Sequence, residues 1–147
     1  MRRSPLVRRT PLRTKAPASR PSPSGPDRLT VDAVLERDCW SCVLCGTGVT
    51  GERGRDWSIH HRRPRAMGGT DRLDSNSPAN LLTVCGSGTS GCHGVIESHR
   101  AAAYNAGWLL HQGDDPTRLA VLVDRRSRWV YLTADAGMSA TPPGGER

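Results

Sequence analysis

Phenylalanine is absent from this chain, and its aromatic side chains are four tryptophans and two tyrosines, so any core rests on leucine, valine, isoleucine and tryptophan and must be small. Lysine is almost missing as well: of 21 basic residues only Lys15 is not an arginine. That bias suits phosphate recognition through the forked guanidinium, and a GC-rich genome gives it equally well. No apolar run is long enough to cross a bilayer, and no apolar signal region is present. With five cysteines, these absences point to a reducing, cytoplasmic compartment, to no membrane partner, and to thiols that ligate metal rather than form disulfides.

What is there is a basic chain of 147 residues carrying +7 at pH 7, long enough for one compact domain plus tails. The excess charge sits at one end. Residues 1–28 hold Arg2, Arg3, Arg8, Arg9, Arg13, Lys15, Arg20 and Arg28 against Asp27 alone, whereas the remainder balances. Nucleic acid is the natural counterpart of such a segment. Its Arg, Pro, Ser and Thr content cannot offset the entropy of ordering, so residues 1–28 read as a disordered basic tail that collects on phosphate or is simply solvated.

Residues 29–133 form the expected domain. Thr30 is placed to cap a helix over Val31–Arg37, whose Val31, Val34 and Leu35 share one face. Trp57-Ser58-Ile59-His60 reads as a strand, Gly68-Gly69 through Pro78 as a long irregular connection, and Leu81–Cys85 as a second strand. One helix is expected from Cys92 or His93 to Ala106, with Gly107 as its terminator. Trp108–Leu110, Leu119–Val123 and Trp129–Thr133 suit a small C-terminal β addition with a hairpin turn at Asp124–Ser127. Residues 134–147, with Pro142-Pro143-Gly144-Gly145, are expected to be loose.

Four cysteines fall into two pairs. The two-residue gap of Cys42-Val43-Leu44-Cys45 lets both sulfurs take tetrahedral positions about one ion, and Cys85 and Cys92 supply a second pair. The second gap is wide, but Gly86, Gly88 and Gly91 give it the freedom to fold back. Cys42, Cys45, Cys85 and Cys92 are therefore expected to hold a structural Zn²⁺, with buried unligated thiols as the alternative. Cys39 is left as a spare thiol.

Paired histidines alone say little, since a strand points His60 and His61 to opposite faces. Here the pair ends one strand, Asn80 precedes the next, and His93 opens a helix tied to both by the expected zinc. Ile59-His60-His61-Arg62-Arg63-Pro64-Arg65, then Gly68-Gly69, Asn80-Leu81-Leu82 and Cys92-His93-Gly94, resemble the HNH nuclease family. The resemblance covers about residues 37–110 and includes the cysteine pairs of its zinc-bearing branch. In size and tail composition the chain is similar to the small standalone HNH endonucleases of phages.

The resemblance implies an α+β fold: a small ββα-metal core stapled by a structural four-cysteine zinc, with a short N-terminal helix, a C-terminal β addition and disordered tails. It implies His60 as a metal ligand, His61 as the general base, His93 as a second ligand, and Asn80 as the holder of the loop bearing the base. It also implies DNA and phage packaging proteins as partners, and the host cytoplasm as location for a phage-encoded chain. Phosphodiester cleavage asks for the same parts: a water deprotonated near neutral pH and a cation beside the leaving oxygen.

One departure follows His93, where the family often has another histidine four residues on and this chain has Glu97. Positions 93 and 97 share a helix face, so Glu97 is the expected third ligand, with a solvated helix residue as its other reading. A carboxylate shifts preference toward Mg²⁺ or Mn²⁺, with Ni²⁺ or Zn²⁺ as other candidates. His99 and His111 are read as structural or exposed. Arg62, Arg63 and Arg65 follow the base and are expected to supply a bidentate phosphate contact, or else a solvated loop face. No recognition helix stands out, so base-specific readout is not expected. The chain therefore reads as a metal-dependent DNA endonuclease, with an RNA-directed variant and a noncatalytic zinc-stapled DNA-binding module as the alternatives.

Overall fold

The computed structural model describes residues 25–65, 72–123 and 127–144. The basic tail up to residue 24, Gly68-Gly69, and Asp124–Arg126 of the expected hairpin turn lie outside the described residues. Among those described, three α-helices and two antiparallel sheets form a small mixed α/β unit. None of these helices is long and apolar enough to cross a membrane.

Helix α1 spans Arg28–Arg37 and packs Val31, Val34 and Leu35 inward. Its cap is Asp27, whose carboxylate accepts the amide of Thr30 at 2.7 Å. The expected cap, Thr30, is thus inside the first turn, because an aspartate three residues upstream satisfies the orphan donor first. Strands β1, Trp57–His61, and β2, Leu81–Cys85, pair antiparallel with His60 opposite Leu82 and His61 opposite Leu81. A one-turn 3-10 helix, Pro78–Asn80, leads directly into β2.

The second edge of β2 is covered by the first cysteine segment: the Val43 amide donates to the Thr83 carbonyl at 2.9 Å, and Asp38 accepts the Thr83 amide at 2.8 Å. Leu81 packs with Ile59 and the α1 residues, while Leu82 and Val84 face Ile96, Ala103, Leu109, Val121 and Val130. Burial on both faces contributes about 1.5–3 kcal/mol per large side chain and makes β2 the axis of the domain.

After β2 the expected single helix is two: α2, Gly91–Ser98, and α3, Arg100–Asn105. The break falls at His99, where Ser98 Oγ bonds back to the carbonyls of Gly94 and Val95 at 2.8 and 3.3 Å. Such back-bonding competes with the helical ladder and bends it. Gly107 follows with φ 69°, and a Cβ there would lie 2.1 Å from the Ala120 carbonyl, so the position requires glycine.

The β addition is a three-stranded sheet of β3, Val121–Val123, β4, Arg128–Leu132, and β5, Met138–Ser139. Trp108–Leu110, expected as a strand, is irregular, and its Trp108 carbonyl meets His60 of β1 while its Leu110 amide donates to the Arg62 carbonyl at 2.7 Å. Met138–Ser139 lies in the segment expected to be loose, yet it pairs with Tyr131 and Leu132.

Candidate metal centres and the histidine cluster

The sulfurs of Cys42, Cys45, Cys85 and Cys92 lie within 4.8 Å of one another. Cys45 Sγ and Cys85 Sγ are 3.8 Å apart, too far for a disulfide and close to the roughly 3.8 Å edge of a tetrahedron built with Zn–S bonds of about 2.3 Å. The wide second gap closes through Gly86 and Gly91, at φ 80° and 60°, where an added Cβ would strike the Ser90 and Cys85 carbonyls. Burial pushes the Cys92 thiol far above its ordinary range, and the charge of Cys42 adds to this. Burial also raises Cys42. At Cys45 burial acts upward too, but hydrogen bonds from Thr47 and the neighbouring cysteines together outweigh it and hold the thiol down to about 6. Thiols crowded this way repel as thiolates, and a divalent cation removes that conflict. The donor set fits a structural metal such as zinc.

A second group lies across β1 and α2. One ligand atom each from His60, His93 and Glu97 falls within 4.8 Å of the others. The His60 and His93 rings meet edge-on, with centroids 5.1 Å apart. His60 Nε2 donates to the Trp108 carbonyl at 3.0 Å, which fixes the tautomer and leaves Nδ1 as the acceptor. His93 Nδ1 is buried with no hydrogen-bond partner. A buried lone pair or proton without a partner is costly, so the donor set fits a cation here too. Glu97 is also satisfied from outside, because Arg100 donates to its Oε2 at 3.0 Å.

Burial holds His60 down to about 3, with the positive field of His93 acting in the same direction. Burial likewise lowers His93 and His61. At His61 the nearby charges of Arg65 and Arg53 lower the imidazole further, against a hydrogen bond from its ring to Asn76. That contact, His61 Nε2 to Asn76 Oδ1, measures 3.0 Å. Asn76 was not singled out by the sequence, where it is one polar residue in a turn string and carries no mark of what it touches.

Asn80 is fully buried and holds two segments together. Its Oδ1 accepts the Arg63 amide at 2.8 Å, and its Nδ2 donates to the Ser75 carbonyl at 2.8 Å and the Arg63 carbonyl at 3.4 Å.

Of the three arginines expected to offer a phosphate contact, Arg62 and Arg63 are buried. Arg62 is 0% exposed, and its guanidinium donates to the carbonyls of Gly107, Ala79, Pro116, Leu119 and Ala120. Arg63 is 2% exposed and donates to the Asp114 carbonyl and, at 2.6 Å, to Asp74 Oδ1. Arg62 has no donor left for a phosphate, because carbonyl oxygens of the fold take all five, and the buried Arg63 guanidinium is directed at fold oxygens rather than at solvent. Arg65 differs: it is half-buried and its Nη1 is buried without a partner. His99 is exposed with Nδ1 2.9 Å from Ser98 Oγ, and exposed His111 stacks on Tyr104 at 4.3 Å. No protein-family model, no curated protein and no solved structure matches this chain.

Proposed function

We propose that the chain is a metal-dependent DNA endonuclease with an HNH-type core. The observation that carries this reading is the convergence of His60, His93 and Glu97 within 4.8 Å, one residue from an imidazole held by its own partner. The order β1, β2, α2 with the cysteine cluster at its base supports the same reading.

In this mechanism His61 is the general base. With Nε2–H directed at Asn76, Nδ1 is the lone pair free to take a proton from the attacking water. Burial, with Arg65 and Arg53 nearby, keeps the ring neutral at pH 7 and so able to accept that proton. Arg65 Nη1 is the donor without a protein partner, and this reading assigns it to a phosphate oxygen. A divalent ion held by His60, His93 and Glu97 would neutralise charge on the phosphorus and the departing 3′ oxygen, and the carboxylate favours Mg²⁺ or Mn²⁺. Residues 1–28 supply sequence-independent attraction to the DNA backbone.

One observation favours a noncatalytic zinc-stapled DNA-binding module instead: Glu97 already has a cationic partner in Arg100. The two readings separate on a supercoiled plasmid incubated with purified protein and Mg²⁺, Mn²⁺, Ni²⁺ or Zn²⁺, with a chelator control and an RNA substrate in parallel. Nicked or linear product that disappears with the chelator is expected. Binding without cleavage under every ion would replace the endonuclease by the binding module.

A further inference from the structure

The segment before β2 is built around one contact. Asn76 places Oδ1 3.0 Å from His61 Nε2, and the backbone on its N-terminal side is fastened twice. Arg63, buried and directed inward, grips Asp74 Oδ1 at 2.6 Å, and Asn80 Nδ2 grips the Ser75 carbonyl at 2.8 Å. Asn80 also holds both polar backbone groups of Arg63, so the two clamps share one support. The Asp74 carbonyl accepts the Ser77 amide at 3.1 Å, which closes a turn around Ser75 and Asn76.

This turn, half-buried at Asn76, is held by a buried arginine and a buried asparagine. Their joint effect is to hold residue 76 at a fixed position beside β1. An amide oxygen only accepts, so the His61 nitrogen facing it must carry the proton. The other ring nitrogen is then left as an acceptor on the side away from Asn76. An imidazole free to flip or exchange tautomers would present that lone pair only part of the time.

We propose that Asn76 is a positioning residue for His61, selecting the Nε2–H tautomer and the ring orientation, and that Arg63–Asp74 and Asn80–Ser75 exist to hold Asn76 in place. This rests on the endonuclease reading for its catalytic consequence but not for the hydrogen bond itself. The arginine expected to clamp a phosphate is in this scheme part of the support for the base.

The test uses the full zinc-loaded chain and two variants: Asn76→Leu, similar in size without an acceptor, and Asn76→Asp, which keeps one. Long-range ¹H–¹⁵N spectra of the His61 ring should show the Nε2–H tautomer in the wild type and in Asn76→Asp, and a mixture in Asn76→Leu. On plasmid substrate Asn76→Leu should lose roughly 10–100-fold in kcat, the usual effect of removing an orienting partner, with Asn76→Asp recovering most of it. KM should change by no more than about twofold, since orientation of the base acts on the chemical step. A wild-type Nδ1–H tautomer, or an Asn76→Leu variant with wild-type kcat, overturns the proposal. If the wild type cuts no DNA with any ion, the endonuclease reading fails on that result, and the ring spectra alone decide the role of Asn76. If Asn76→Leu does not fold, the wild-type tautomer and the Asn76→Asp spectrum decide it.

Discussion

His60 donates from Nε2 to the carbonyl of Trp108 at 3.0 Å, and this bond crosses from β1 to the irregular segment after α3. It leaves Nδ1 as the acceptor in a ring that is 3% exposed. Burial, with His93, holds the folded imidazole down to about 3 against an ordinary 6.5. The unfolded chain therefore takes up a proton below 6.5 that the folded chain refuses, and stability must fall as pH drops from 6.5 toward 3. One such group gives a slope of about 1.4 kcal/mol per pH unit. Urea unfolding at about pH 7.5, 6.5 and 5.5 should show that decline, and a His60→Asn chain should show a shallower one. Equal slopes in the two proteins would mean that His60 is not protected from protonation.

The sulfur cluster makes a separate prediction. Cys45→Ser or Cys92→Ala should remove one equivalent of bound zinc, read by elemental analysis. Losing even ~2 kcal/mol should lower Tm by on the order of 10 °C in a domain of this size. A variant with unchanged metal content and Tm would show that these thiols are merely packed.

Arg62 is expected to behave as a core residue. Arg62→Lys cannot reach five carbonyls from one ammonium, so it should cost about 3 kcal/mol or more in urea unfolding. Arg65→Gln, by contrast, should leave stability within roughly 0.5 kcal/mol and weaken DNA binding, with a smaller salt dependence. A stable Arg62→Lys protein with weakened DNA binding would restore the phosphate role to Arg62.

His61→Ala should cut the rate of plasmid nicking by roughly 10²–10⁴-fold while zinc content and circular dichroism stay as in the wild type. Nicking at the wild-type rate would remove His61 from the mechanism.

The sequence shows β1, β2 and α1 to within a few residues, because each has a local apolar pattern and a cap or turn beside it. It also brings out the cysteine pairs, whose short gaps limit where the sulfurs can go. The break between α2 and α3 is less legible, since a serine that bonds back onto its own helix looks like any other polar helix residue. Met138–Ser139 is too short to have a period, and only its partner β4 makes it a strand.

By itself the sequence determined which chemical groups are available: four thiols, a histidine pair, a third histidine with a glutamate one turn on, and a basic end. Covalent spacing sets these. Which of the groups remain free was decided only by the tertiary structure. Arg62 meets carbonyls 17 to 58 residues away in the chain, and His60 and His61 take their tautomers from Trp108 and Asn76. A hydrogen bond depends on distance in space, and no local pattern records which distant oxygen will fill a donor.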